Sequence, residues 1–133
     1  MSNYWEFRSS AGSTDANIIH NVIDGDTIEM TVDLGFGVTR RIKLRLDGVD
    51  TAETHNTSHG SEEYEKGIKQ ANFVRDWLIE AMEESDTYWY LHLETEKGER
   101  SFTRWIGDIR RKSDGEWLVE SIIEEWPEAE YDH

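Results

Sequence analysis

Between Arg41 and Asp47 the chain alternates strictly, with Ile42, Leu44 and Leu46 set against Arg41, Lys43, Arg45 and Asp47. Successive side chains of a strand point to opposite faces, so this stretch predicts a β-strand with one face in a core and the other charged. The same pattern recurs in Thr27 to Asp33, where Ile28, Met30 and Val32 share a face. It recurs again in Tyr88 to Glu94, which would bury Trp89, Leu91 and Leu93. Tyr4 to Arg8, Asn17 to Ile23 and Thr103 to Arg110 complete the expected strands. Asp24-Gly25 gives a hairpin signal, Leu34-Gly35-Phe36-Gly37 a break, and Ser113-Asp114-Gly115 a turn.

One long helix interrupts the strands. From Ser61 to Glu84, Tyr64, Ile68, Ala71, Val74, Leu78 and Ala81 recur at spacings of three and four, with Phe73 and Trp77 widening the stripe. Ser61, Glu62 and Glu63 suit its start. Trp117 to Trp126 reads as a short amphipathic C-terminal helix closed by Pro127, with 127–133 a frayed tail. Ser9 to Ala16 and Val49 to Gly60 read as polar connections. The 133 residues suit a single domain, mainly β within an α+β class, or a small barrel with helices packed on it.

Composition removes several classes. With no cysteine there is neither a disulfide nor a thiolate metal site. No apolar run approaches the ~20 residues that span a bilayer, and Met1 to Phe7 has no secretory pattern. A cytoplasmic or virion-associated protein without a membrane is expected. The net charge of −15 opposes a phosphate backbone unless a bound cation or high salt changes the balance. Arg outnumbers Lys nine to five, a bias that resembles halophilic archaea and their viruses in composition only.

Carboxylates concentrate at two strand ends. Asp24 and Asp26 flank Gly25, and Asp50 and Glu53 follow the charged strand. Such oxygen donors suit Ca²⁺ or Mg²⁺, although Asp-Gly-Asp alone is more often a plain hairpin turn. Arg45 stands five residues before Asp50, up to ~17 Å if extended, so the two share a site only if the chain bends. A guanidinium beside a carboxylate-held metal is what phosphoryl chemistry requires; the alternative is a solvated strand face of Arg41, Lys43 and Arg45 paired with nearby acids. His20, His55, His59, His92 and His133 remain, and the i, i+4 pair His55 and His59 lies in a stretch that argues for loop rather than a helical metal site. Tyr88, Tyr90 and His92 share one expected strand face, suited to stacking bases or to covering the helix.

Val22-Ile23-Asp24-Gly25-Asp26-Thr27, followed by Arg45-Leu46-Asp47-Gly48-Val49-Asp50-Thr51-Ala52-Glu53-Thr54, resembles the staphylococcal-nuclease (thermonuclease) family. The likeness runs from about Asn17 to Trp126. It implies a five-stranded OB-like barrel and a Ca²⁺-dependent nuclease acting on DNA or RNA with little sequence preference. By the same resemblance Asp26 and Asp50 would bind Ca²⁺ through carboxylates and Thr51 through its carbonyl. Glu53 would hold or activate the attacking water, and Arg45 and Arg104 would bind the phosphate. Asp24 would shape the turn rather than ligate.

The sequence departs from the family in places. Ala52 replaces a proline, the lysine before the second arginine is missing from Arg100-Ser101-Phe102-Thr103, and the chain stops about one helix early. These departures bear on substrate affinity. They keep open a second expectation, a nuclease fold serving as a binding module or as a virion structural part with a protein partner. The oligomeric state is left open.

Overall fold

The computed structural model describes residues 5–52, 60–96 and 104–131, with Trp5 and Arg104 described by backbone alone. Six strands form one sheet: β1 (Trp5–Ser10), β2 (Val22–Asp24), β3 (Thr27–Gly35), β4 (Val38–Leu46), β5 (Leu91–Glu96) and β6 (Arg104–Arg111). Their order is β1-β5-β6-β4-β3-β2, and β1 also pairs with β3 through Ser9–Val32 and Ser10–Thr31. That pairing closes five strands into a barrel and leaves β2 as a short flap on β3. All ladders are antiparallel except β4–β6, which is parallel. The long helix α2 (Glu62–Glu83) connects β4 to β5, as in an OB-like barrel, and α3 (Leu118–Glu125) follows β6.

The alternating patterns place the core. Ile28, Met30, Val32, Leu44, Leu46, Leu91, Leu93 and Ile109 are buried inside the barrel. Burying each large apolar side chain contributes roughly 1.5–3 kcal/mol. Helix α2 is capped by Ser61, whose Oγ accepts from Tyr64 N at 3.1 Å. It buries Ala71, Val74, Trp77, Leu78 and Ala81 on the stripe expected of it. No helix among the described residues is long and apolar enough to cross a membrane.

Four expectations need correction. The stretch 17–23 is not a strand. Helix α1 (Asp15–Asn21) occupies most of it, and only Val22–Asp24 pairs with β3. Thr14 starts the helix, its Oγ1 accepting from Asn17 N at 3.2 Å, and Asp15 complements the helix N-terminus. Ser9 and Ser10 belong to β1 rather than to a linker. At β5 the ladder begins only at Leu91, so the alternation does not extend back to Tyr88. Tyr90 enters the core instead of Trp89, and its hydroxyl donates to the Gly12 carbonyl at 3.0 Å. Tyr88 is exposed, so Tyr88, Tyr90 and His92 form no common face.

The tail is docked rather than frayed up to Tyr131. Pro127–Ala129 form a 3-10 turn with Ala129 buried, and Glu130 bridges to Val49. Asp50 N donates to Ala129 O and Tyr131 N to Gly48 O, each at 2.8 Å.

Candidate active site

The turn between β2 and β3 sets the first carboxylate. Gly25 lies hard against Thr51 and Gln70. A Cβ there would stand 3.0 Å from Thr51 Cγ2 and 3.2 Å from Gln70 Cβ, so close approach requires the missing side chain. Asp26 is buried beside it. Its Oδ2 accepts from Thr51 N at 3.0 Å, its Oδ1 from Thr27 Oγ1 at 3.1 Å, and its carbonyl from Leu46 N at 2.8 Å. One residue thus joins the turn to the end of β4 and to the loop beyond.

Arg45 occupies the outer face of β4, opposite Thr27 on one side and Ile106 on the other. After Leu46 the chain reverses. Asp47 N donates to Gly107 O at 2.8 Å, and Gly48 takes a φ of 99°, a left-handed conformation that glycine adopts without steric cost. This bend brings Asp50 back to Arg45. The guanidinium Nη1 donates to Val49 O at 2.8 Å and Leu46 O at 3.0 Å, and lies 3.3 Å from Asp26 Oδ2. Nη2 lies 3.3 Å from Asp50 Oδ1. Asp26 is nearly enclosed, whereas the Asp50 side chain is 66% exposed and faces solvent. Thr51 is buried and its Oγ1 has no hydrogen-bond partner among the described residues. Ala52 N donates to Gln70 Oε1 at 2.8 Å, which ties the loop to α2.

The structure therefore brings Asp26, Arg45, Asp50 and Thr51 together. Arg104 lies on β6 opposite Lys43, two residues before the partner of Arg45. Glu53 lies outside the described residues, as do His55, His59 and His133. Among the described residues no group of three His, Asp or Glu is placed to hold a metal. The two carboxylates and the Thr51 backbone are hard oxygen donors, and two negative charges face one guanidinium. That set fits Ca²⁺ or Mg²⁺ in chemistry. His20 lies in the last turn of α1 and His92 faces Glu6 at 3.8 Å, both on other elements.

Two features escaped the sequence reading. Gln70 had a signal, being a polar residue within the apolar stripe of α2, where it is buried. The second feature is an acidic cleft of about 500 Å³ lined by Asp47, Glu94, Gly107, Asp108, Trp117 and Glu120. Asp108 Oδ1 accepts from Val119 N at 3.2 Å and Ile109 N at 2.8 Å, and so caps the first turn of α3, where Trp117 supplies no side-chain cap. Burial pushes its carboxyl up to about 7, against those two N–H donors, and Glu94 and Glu120 push it the same way. Nothing local in the sequence marks this cleft, because its acids come from four separate segments.

No protein-family model and no curated protein matches this chain.

Proposed function

We propose that this protein is a Ca²⁺-dependent nuclease that hydrolyses the phosphodiester backbone of DNA or RNA with little sequence preference. It is read as similar to the staphylococcal-nuclease family in fold and site. The observation that supports the reading is the meeting of Asp26, Arg45, Asp50 and Thr51, from a hairpin turn, a strand and a loop. Plain surface ion pairing would not require a buried Asp26 or a glycine pressed against Thr51.

Asp26, Asp50 and the Thr51 carbonyl would hold the cation, which when bound supplies Lewis-acid polarisation of a phosphoryl oxygen and a positioned water. Arg45 grips two phosphate oxygens with its fork and stabilises charge that develops there. To do so it exchanges its contacts with Asp50 and Asp26 for contacts with phosphate, while Val49 O and Leu46 O keep the guanidinium oriented. Glu53 accepts the proton of the attacking water, or orients it, for in-line displacement. By the same likeness Arg104 would be the second arginine that binds the phosphate.

The test is cleavage of nucleic acid by the parent and by Glu53→Gln, with Ca²⁺, Mg²⁺ or EDTA. The parent should cleave with Ca²⁺ alone or best, and Glu53→Gln should lose roughly 10²–10⁴-fold while still being stabilised by Ca²⁺. A parent that cleaves nothing under any of these conditions overturns the reading.

A second reading is a nuclease-fold module without catalysis, acting as a binding or virion structural part. The full commitment of Arg45 to two backbone carbonyls and two carboxylates favours it, since an arginine can serve as a structural clamp alone. In that case Ca²⁺ stabilises nothing and Arg45→Lys lowers stability only.

A further inference from the structure

The outer face of β4 carries Arg41, Lys43 and Arg45 at alternate positions. Both guanidinium groups are engaged. Arg41 donates to Glu29 at 3.0 and 3.1 Å and to Asn21 at 2.6 Å, and Arg45 holds the candidate site. Lys43 is exposed and has no ion pair among the described residues. Its ladder neighbours are Glu29 on β3, whose carboxylate Arg41 already occupies, and Arg104 on β6. Lys43 stands ~7 Å from Arg45 along the strand, given a rise of ~3.4 Å per residue. That step is of the order of one nucleotide in an extended single strand.

The surroundings give this row a direction. Past the end of β4, Asp47 lines the cleft that also holds Glu94, Asp108 and Glu120. A polyanion gripped at Arg45 meets the acidic cleft on that side and, on the other, the Lys43 ammonium group, which is unpaired among the described residues. Coulomb repulsion from the cleft and attraction to Lys43 both route the chain along β4 toward Lys43.

We propose that Lys43 forms a second phosphate subsite, holding the phosphate adjacent to the one at Arg45 in a single-stranded nucleic acid. This rests on the nuclease reading. Lys43 is a binding residue and does not touch the reacting phosphorus, so its loss raises KM and leaves kcat unchanged.

The experiment measures kcat and KM for the parent, Lys43→Gln and Lys43→Arg with Ca²⁺ across a range of KCl. Three substrates are used: oligo(dT), oligo(U) and a nitrophenyl ester of thymidine 5′-phosphate carrying one phosphodiester. The oligo(dT) and oligo(U) arms show whether the subsite serves DNA, RNA or both. For the preferred oligomer, Lys43→Gln should raise KM and reduce the slope of log KM against log salt by ~0.7, the share of one single-strand phosphate contact. Its deficit should then shrink roughly 2–3-fold between about 0.05 and about 0.2 M KCl. Lys43→Arg should restore the KM, and the single-phosphodiester ester should not distinguish the three proteins. Equal KM and equal salt slope for parent and Lys43→Gln on an oligomer the parent cleaves would overturn the subsite alone. A parent inert on all three substrates would remove the nuclease reading and this inference with it.

Discussion

Arg45 is where a catalytic and a structural role divide. Replacing it with lysine keeps the charge and loses the fork that reaches Leu46 O, Val49 O and both carboxylates. Arg45→Lys should cost about 10²-fold in kcat/KM, because one donor of the charge-stabilising set is lost. It should also cost ~1–2 kcal/mol in urea unfolding from the carbonyls left unpaired. Full activity with the expected loss of stability would reduce Arg45 to a clamp. Asp108 gives a prediction free of the catalytic reading. Its pKa is raised by burial to about 7 against an ordinary 3.8, so the folded state binds the proton more tightly than the unfolded chain. The resulting stabilisation is fully present below the unfolded value and is lost as pH rises through about 7. Unfolding measured near about pH 5 and about pH 8 should show Asp108→Asn flattening that decline, by on the order of a few kcal/mol at the alkaline end. Identical pH profiles for the two proteins would mean that the carboxyl is not strained by its cleft.

Among the elements, the docked tail has a function the sequence did not suggest. Ala129 O holds the Asp50 amide, Tyr131 N holds the Gly48 carbonyl, and Lys66 pairs with Glu128 at 2.7 Å. The loop that carries Asp50 and Thr51 is therefore braced from the far end of the chain. Ending the chain after Trp126 should lower stability by ~2 kcal/mol, the worth of two backbone hydrogen bonds, and weaken Ca²⁺ binding in a calorimetric titration. Unchanged Ca²⁺ affinity in the shortened chain would contradict the bracing. The tail was illegible because Pro-Glu-Ala-Glu-Tyr has no periodicity; what holds it is backbone pairing with a segment far away in sequence. Helix α1 is hidden in the sequence because Ile18, Ile19, Val22 and Ile23 look strand-like, although Thr14 and Asp15 suit a helix start. By contrast β3, β4 and α2 were legible, since each has one core face and one wet face and its period follows directly. Within the site, strand alternation placed Arg45 on the outer face. Its meeting with Asp50 needed the turn at Gly48, which depends on backbone geometry that a residue name alone does not fix.

At the scale of the whole molecule the net charge of −15 governs how the protein meets a polyanion. Acids crowd α2 and the segment from Glu116 to Asp132, so self-repulsion opposes compactness and repels nucleic acid at low ionic strength. The Debye length falls from ~10 Å at 0.1 M salt to ~3 Å at 1 M, which screens that repulsion. Melting temperature and cleavage should both rise with KCl from about 0.05 to about 3 M, while the few phosphate contacts lose less than the repulsion relieved. A steady fall in both would make a basic protein partner the better explanation of the acidic surface. In the reading proposed above, Asp26 and Asp50 seat a cation that turns this barrel into a nuclease. It is tested most directly by the cleavage rate of a short single strand in molar KCl, with millimolar Ca²⁺ and then with EDTA, for the parent and for Asp50→Asn. The account predicts cleavage by the parent in Ca²⁺, none in EDTA, and a rate reduced at least tenfold, about 1.4 kcal/mol, for Asp50→Asn. Cleavage that persists in EDTA, or an Asp50→Asn protein as fast as the parent, would contradict it.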